Sequence, residues 1–160
     1  MHYFPDANHV GPFGPAFLRL MFANAALESR VADLQDVVTG KAGFGEQNQW
    51  GARERPKRMI TLIRQNSDRV VIAPDDVHRI VDLLKRAIPH CETRNLLAHG
   101  HWWALAPDAK FITIRRWKLR SGQTQHMDVT VAEISRAANE LIDIEVELWK
   151  VETAIGGERY

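Results

Sequence analysis

The reactive side chains of this chain concentrate in eight residues, Arg94-Asn95-Leu96-Leu97-Ala98-His99-Gly100-His101. An imidazole titrates near neutrality, which suits His99 to carry a proton as general acid or base. Arg94 keeps its charge and offers a two-pronged donor to a phosphate. Asn95, four residues before His99, shares a helical face with it, so its amide can orient the ring. An arginine and a histidine at one phosphate suit phosphodiester cleavage, with an RNA 2′-hydroxyl as nucleophile and no metal required. Spacing constrains this chemistry. Arg94 and His99 are five apart, about 140° round an ideal helix. They converge if Arg94 reaches round, if the helix unwinds before Gly100, or if a second copy faces the first. The same residues in the last turn of a helix can also complement its dipole and bind its free carbonyls, so spacing alone leaves a structural role open.

Other groups compete for attention. His90, Cys91, His99 and His101 lie close in sequence, but their spacing matches no common zinc motif and a second thiolate is lacking, so no metal site is expected. Cys91 reads as a small buried residue rather than a nucleophile, since it stands two turns from His99. Trp102 and Trp103 are expected to pack a core, the wall of a cleft or a subunit contact. Lys110, Arg115, Arg116, Lys118 and Arg120 form a basic run with no acid from Phe111 to Met127. Trp117 within it offers a stacking platform for an unpaired base. His101, Arg115, Arg116, Trp117 and Lys118 are therefore the expected nucleic-acid contacts, although basic residues on a strand edge also guard against aggregation. A second basic group, Arg53, Arg55, Lys57, Arg58 and Arg64, lies on or before a helix. Glu140, Asp143, Glu145, Glu147 and Glu152 make the final helix acidic.

These side chains must be positioned by a mainly α fold. Pro5, Gly11, Pro12, Gly14 and Pro15 predict an extended arm over residues 1–15. A helix is expected from Ala16 to Val38, with Leu18, Met21, Phe22, Ala25, Val31, Leu34 and Val38 as its inner face and Gly40 as a left-handed cap. Lys41 to Gly51 reads as loop, Pro56 to Asn66 as a second helix, and Val70 to Ala73 as loop or short extended chain. A third helix opens at Pro74-Asp75-Asp76, where a proline and two acids meet exposed N–H groups. Pro89 should kink or interrupt it before a helical stretch resumes from Cys91 to His99. Phe111 to Leu119 and Gln125 to Val129 predict a hairpin about Ser121-Gly122. The last helix opens on Thr130-Val131-Ala132-Glu133, a capping box, with Ile134, Ala138, Leu141, Leu148 and Val151 inward. The expectation is an up-and-down four-helix bundle spanning 16–156, with a β-hairpin at about 111–129 inserted before the last helix.

Composition narrows the function classes. The chain has 160 residues, 45% apolar, enough for one sizeable core. Its 21 basic and 20 acidic residues give a net charge of +1, which excludes a globally basic nucleic-acid binder and leaves only local charge for that role. No apolar run is long enough for a membrane span or a signal-peptide core. One cysteine excludes an internal disulfide. A cytoplasmic location without cofactor is expected.

Arg94-Asn95, three residues, then His99 resembles the motif of HEPN domains (higher eukaryotes and prokaryotes nucleotide-binding), an arginine followed after four to six residues by a histidine. The helical outline is similar, with the hairpin a departure from the minimal bundle. The resemblance implies that Arg94 stabilises phosphate charge, His99 handles the proton and Asn95 positions one of them; His101 has no counterpart. It also implies either a metal-independent endoribonuclease, the toxin of a toxin–antitoxin or defence system, or a non-catalytic module binding nucleic acid or a protein partner. The partners so implied are RNA and an antitoxin or nucleotidyltransferase. A homodimer is expected, with contacts from Leu96, Leu97, Trp102 and Trp103.

Overall fold

The computed structural model describes residues 11–41, 54–65, 72–103, 110–118 and 123–157. Phe4, most of the loop up to Gly51, Val70-Val71 and the Ser121-Gly122 turn lie outside them. The described chain is mainly helical: α1 (Phe13–Thr39), α2 (Arg55–Gln65), α3 (Pro74–His99), β1 (His101–Trp103), β2 (Phe111–Lys118), β3 (Gln123–Thr130) and α4 (Val131–Gly157). This is the expected bundle with a hairpin before its last helix.

The first helix starts earlier than its prolines suggest. Phe13, Gly14 and Pro15 form its first turn instead of closing an arm. Helix N-termini leave their first N–H groups without intrahelical partners, so a proline there removes nothing the helix uses. At the other end Gly40 adopts φ 66°, ψ 22°, and its N–H donates to the Asp36 carbonyl, the left-handed cap expected. The buried stripe of α1 runs through Phe13, Ala16, Leu20, Ala23, Leu27, Val31, Leu34 and Val38. Val31, Leu34 and Val38 match the expected inner face. Leu18 and Phe22 do not; they are 56% and 73% exposed. The N-terminal half of α1 is apolar on two faces, and the core takes the one built on Ala16, Leu20 and Ala23.

Helix α3 is continuous through Pro89, with no interruption before Cys91. The Pro89 carbonyl accepts a hydrogen bond from the Thr93 hydroxyl at 3.0 Å. Opposite charges tie the bundle together. Arg79 donates to Glu147 at 2.6 Å and Arg86 to Glu140 at 3.3 Å, so α3 and α4 run antiparallel. Arg30 of α1 grips Glu145 at 2.9 Å and Glu152 at 2.6 Å. The acidic character of α4 is thereby largely neutralised by arginines of α1 and α3. Two polar side chains of α1, Asn24 and Gln35, are fully buried, and neither amide atom of Gln35 has a hydrogen-bond partner among the described residues.

The sheet has the order β1-β2-β3, antiparallel throughout. Strand β1 is an element the sequence did not announce, and it turns the expected hairpin into three strands. Ile112, Ile114 and Val129 carry one face of the sheet into the core. β3 passes into α4 without a loop. There Thr130 and Glu133 form the expected capping box: the Thr130 N–H donates to Glu133 Oε2 at 2.8 Å, and the Glu133 N–H donates to Thr130 Oγ1 at 3.2 Å.

Candidate active site

The motif occupies the C-terminal end of α3, where the helix meets β1. The helix stays regular to His99. It ends because Gly100 turns extended (φ −89°, ψ 159°), while its N–H still donates to the Leu96 carbonyl at 2.8 Å. Unwinding is therefore not what brings Arg94 and His99 together. They keep the separation of an ideal helix, about 140° round and roughly 7.5 Å along the axis.

Their surroundings differ accordingly. His99 and His101 are exposed on either side of Gly100, whereas Arg94 and Asn95 are half-buried. Arg94 Nε is shielded from solvent and has no hydrogen-bond partner among the described residues. A buried guanidinium N–H without an acceptor is costly, and an anion is the kind of group that would relieve it.

The apolar neighbours of the motif are consumed by the fold. Leu96 and Leu97 are 4% and 2% exposed. The Trp102 ring meets Phe17 edge-on at 5.0 Å between centroids, and its Nε1 donates to the Leu97 carbonyl at 2.7 Å. This corrects the expectation that Leu96, Leu97 and Trp102 supply a subunit contact; they hold the end of α3 against β1 and α1. Only the backbone position of Trp103, on β1, is described.

Cys91 is buried, and burial first, then the nearby Glu28 carboxylate, pushes its thiol up to about 12. A thiol held protonated in this way is no nucleophile at neutral pH, as its spacing suggested. No group of three or more His, Cys, Asp or Glu side chains that could hold a metal ion occurs among the described residues. His90 is half-buried, and its pKa is lowered by burial, with Arg86 acting in the same direction and Glu140 against.

The sheet brings further groups to the motif. Arg115, Arg116, Trp117 and Lys118 lie on β2, with Arg116 paired to Gln125, Trp117 to Thr124 and Lys118 to Gln123. Arg115 is the register partner of His101 on one side and of His126 on the other. One cross-strand row thus contains His101, Arg115 and His126, with both histidines exposed. His126 was not singled out from the sequence. An alternation pattern around Gln125 was the available signal, but the row exists only once β1 pairs with β2. The basic group near α2 is less available than its composition suggests. Arg55 is 9% exposed and its Nη1 donates to the Glu28 carbonyl at 2.9 Å, while Lys57 pairs with Glu92 at 2.7 Å. Arg58 and Arg64 are exposed. No helix of the described residues is long and apolar enough to cross a membrane.

No family model, curated protein or solved structure matches this chain.

Proposed function

We propose that this protein is a metal-independent endoribonuclease of the HEPN type that cleaves single-stranded RNA by attack of the ribose 2′-hydroxyl, acting in the cytoplasm as a toxin or defence protein. The observation that carries the reading is the pairing of an exposed histidine, His99, with an arginine whose Nε is buried and unpartnered five residues earlier on the same helix. In this reading His99 takes the 2′-hydroxyl proton or protonates the leaving 5′ oxygen, and Arg94 turns its guanidinium to the charged phosphorus centre. Asn95 orients the histidine.

The row of His101, Arg115 and His126 continues from the motif across the sheet. In this reading the row is a track for the RNA backbone leading away from His99. Trp117, two residues along β2 from Arg115 and so at a position on the same face, takes a stacked base, and Arg116 and Lys118, at the alternate positions, meet phosphates only past the end of the strand. Charge on this track matters more than the near-zero net charge of the chain.

The test is incubation of the purified chain with a panel of single-stranded RNAs in EDTA, with the ends of the products analysed. Cleavage leaving a 2′,3′-cyclic phosphate is the expected result. Activity that EDTA abolishes would sink the mechanism. Tight RNA binding with no cleavage across the panel would replace it with the non-catalytic module.

A further inference from the structure

Helix α2 carries Arg55, Lys57, Arg58 and Arg64 and no acid. Met59, Ile60 and Ile63 seat it in the bundle. Lys57 reaches across to α3 and donates to Glu92 Oε1 at 2.7 Å. On α3, Glu92 precedes Asn95 by three residues and His99 by seven, spacings that put all three on one stripe of the helix. The Lys57–Glu92 pair therefore stands on the motif's own stripe, about 10.5 Å along the axis from His99. Arg58 and Arg64 are exposed and pair with no acid among the described residues.

We propose that Lys57 is a phosphate subsite for the strand that reaches His99, and that Glu92 is its built-in competitor, displaced from Lys57 when RNA binds. The inference deepens the reading given above and rests on RNA being the ligand, not on its cleavage. Exposure is the first argument. The two side chains are 37% and 45% exposed, so their attraction is screened by water and salt and contributes little to the fold. A phosphate on a polyanion brings the same charge and releases counterions as it binds. An ammonium is a point charge without fixed geometry, so it changes partner easily.

Placement is the second argument, and it selects a nucleic acid over other anions. Lys57 and Arg64 are seven apart and share a stripe of α2, so a strand drawn to Lys57 meets another cation along this helix and no acid. A lipid surface would ask for apolar side chains beside the charges, and the exposed residues of α2 beyond Arg55 are Arg58, Thr61, Arg64 and Gln65. An acidic protein segment would be drawn to Lys57 as well, but only a polymer of phosphates has a use for the histidine on the same stripe. The row of His101, Arg115 and His126 begins beyond Gly100, on the other side of His99. The motif thus lies between two cationic surfaces, and the substrate is a single strand long enough to lie on both, cut internally.

The test titrates the full chain into a fluorescent single-stranded 2′-O-methyl RNA, which lacks the nucleophile and reports binding alone, by anisotropy across a salt series. Lys57→Gln should weaken binding by about threefold or more and lower the slope of log affinity against log salt by about 0.7, the share of one phosphate contact on a single strand. Lys57→Arg keeps the charge and should bind like the parent. Glu92→Gln should tighten binding by about threefold, the size of an exposed pair released, and the gain should shrink when Lys57 is already Gln. Glu147→Gln removes an acid paired with Arg79, which lies on the opposite side of α3 from His99. It sets the gain due to net charge alone. Parental binding by Lys57→Gln would overturn the subsite. So would a Glu92→Gln gain no larger than that of Glu147→Gln, or one undiminished in the double variant. A parent that ignores RNA and binds a polyglutamate peptide through Lys57 would overturn it in favour of an acidic protein partner. The cleavage reading stands or falls separately. A parent that shows these shifts and cuts no RNA keeps the subsite and loses the nuclease; one that cuts RNA and shows none of them does the reverse.

Discussion

Trp102 Nε1 donates to the carbonyl oxygen of Leu97 at 2.7 Å, so the first strand of the sheet is stitched to the last turn of the helix that carries the motif. That carbonyl is one of the four a helix end leaves without an intrahelical donor. The bond satisfies it and sets the angle at which the chain leaves His99.

Trp102→Phe keeps an aromatic ring against Phe17 and removes only the donor. It should lower stability by about 1 kcal/mol, the net worth of an ordinary hydrogen bond. Trp102→Ala also loses the ring contact and should cost clearly more. Urea denaturation of both variants checks the order; equal losses would mean that the ring contact contributes nothing, and no loss in Trp102→Phe would mean that the hydrogen bond contributes nothing.

At the motif, His99→Ala and Arg94→Ala should each slow RNA cleavage by roughly 100-fold or more, the scale of losing a proton carrier or an oxyanion donor. Asn95→Ala should cost less, because it orients rather than reacts. His101→Ala should be mild, with its effect on RNA affinity rather than on the rate at saturation. Single-turnover assays on folded variants separate these effects, and parental rates in the His99 and Arg94 variants would exclude the assignment.

The capping box predicts a stability effect with its own pH dependence. The Thr130 N–H first, and then its hydroxyl, hold the Glu133 carboxyl below the usual carboxylate range. Its contribution is therefore present above the unfolded carboxylate pKa and fades as pH falls through the lower folded value. Thr130→Ala should cost about 1 kcal/mol at neutral pH, and Thr130→Ser much less. Thermal melts at neutral and strongly acidic pH check this; a gap between parent and Thr130→Ala that does not narrow in acid would contradict it.

His90 gives the opposite end of the pH scale something to read. Its lowered pKa means that the folded chain binds fewer protons than the unfolded chain just below the ordinary histidine value. The folded state consequently loses stability as pH drops through the ordinary histidine range, and this group contributes no slope above that range. His90→Gln should flatten that part of the profile. Denaturation midpoints that fall equally in parent and variant would show that His90 is not responsible.

Much of this architecture was legible in the residues because local signals and packing agreed. Gly40, Pro74-Asp75-Asp76 and Thr130-Val131-Ala132-Glu133 mark helix ends through chemistry that acts within a few residues. Phe22 was misread for the opposite reason: α1 carries two apolar stripes, and periodicity cannot say which one the rest of the chain will cover. Strand β1 was invisible because three residues have no period. The motif's residue types were legible, whereas the half-burial of Arg94 depends on tertiary packing and the row that joins His101 to His126 on strand pairing, neither of which a local pattern records. Pro89 was overweighted, since tertiary packing carries α3 through it.

The direct passage of β3 into α4 has a mechanical consequence. With no loop at Thr130, a tilt imposed on the hairpin is transmitted to a helix of 27 residues, as by the short arm of a lever. A strand of RNA pulling on β2 and β3 would therefore be felt at Trp149, whose indole is an intrinsic fluorescent reporter of the displacement.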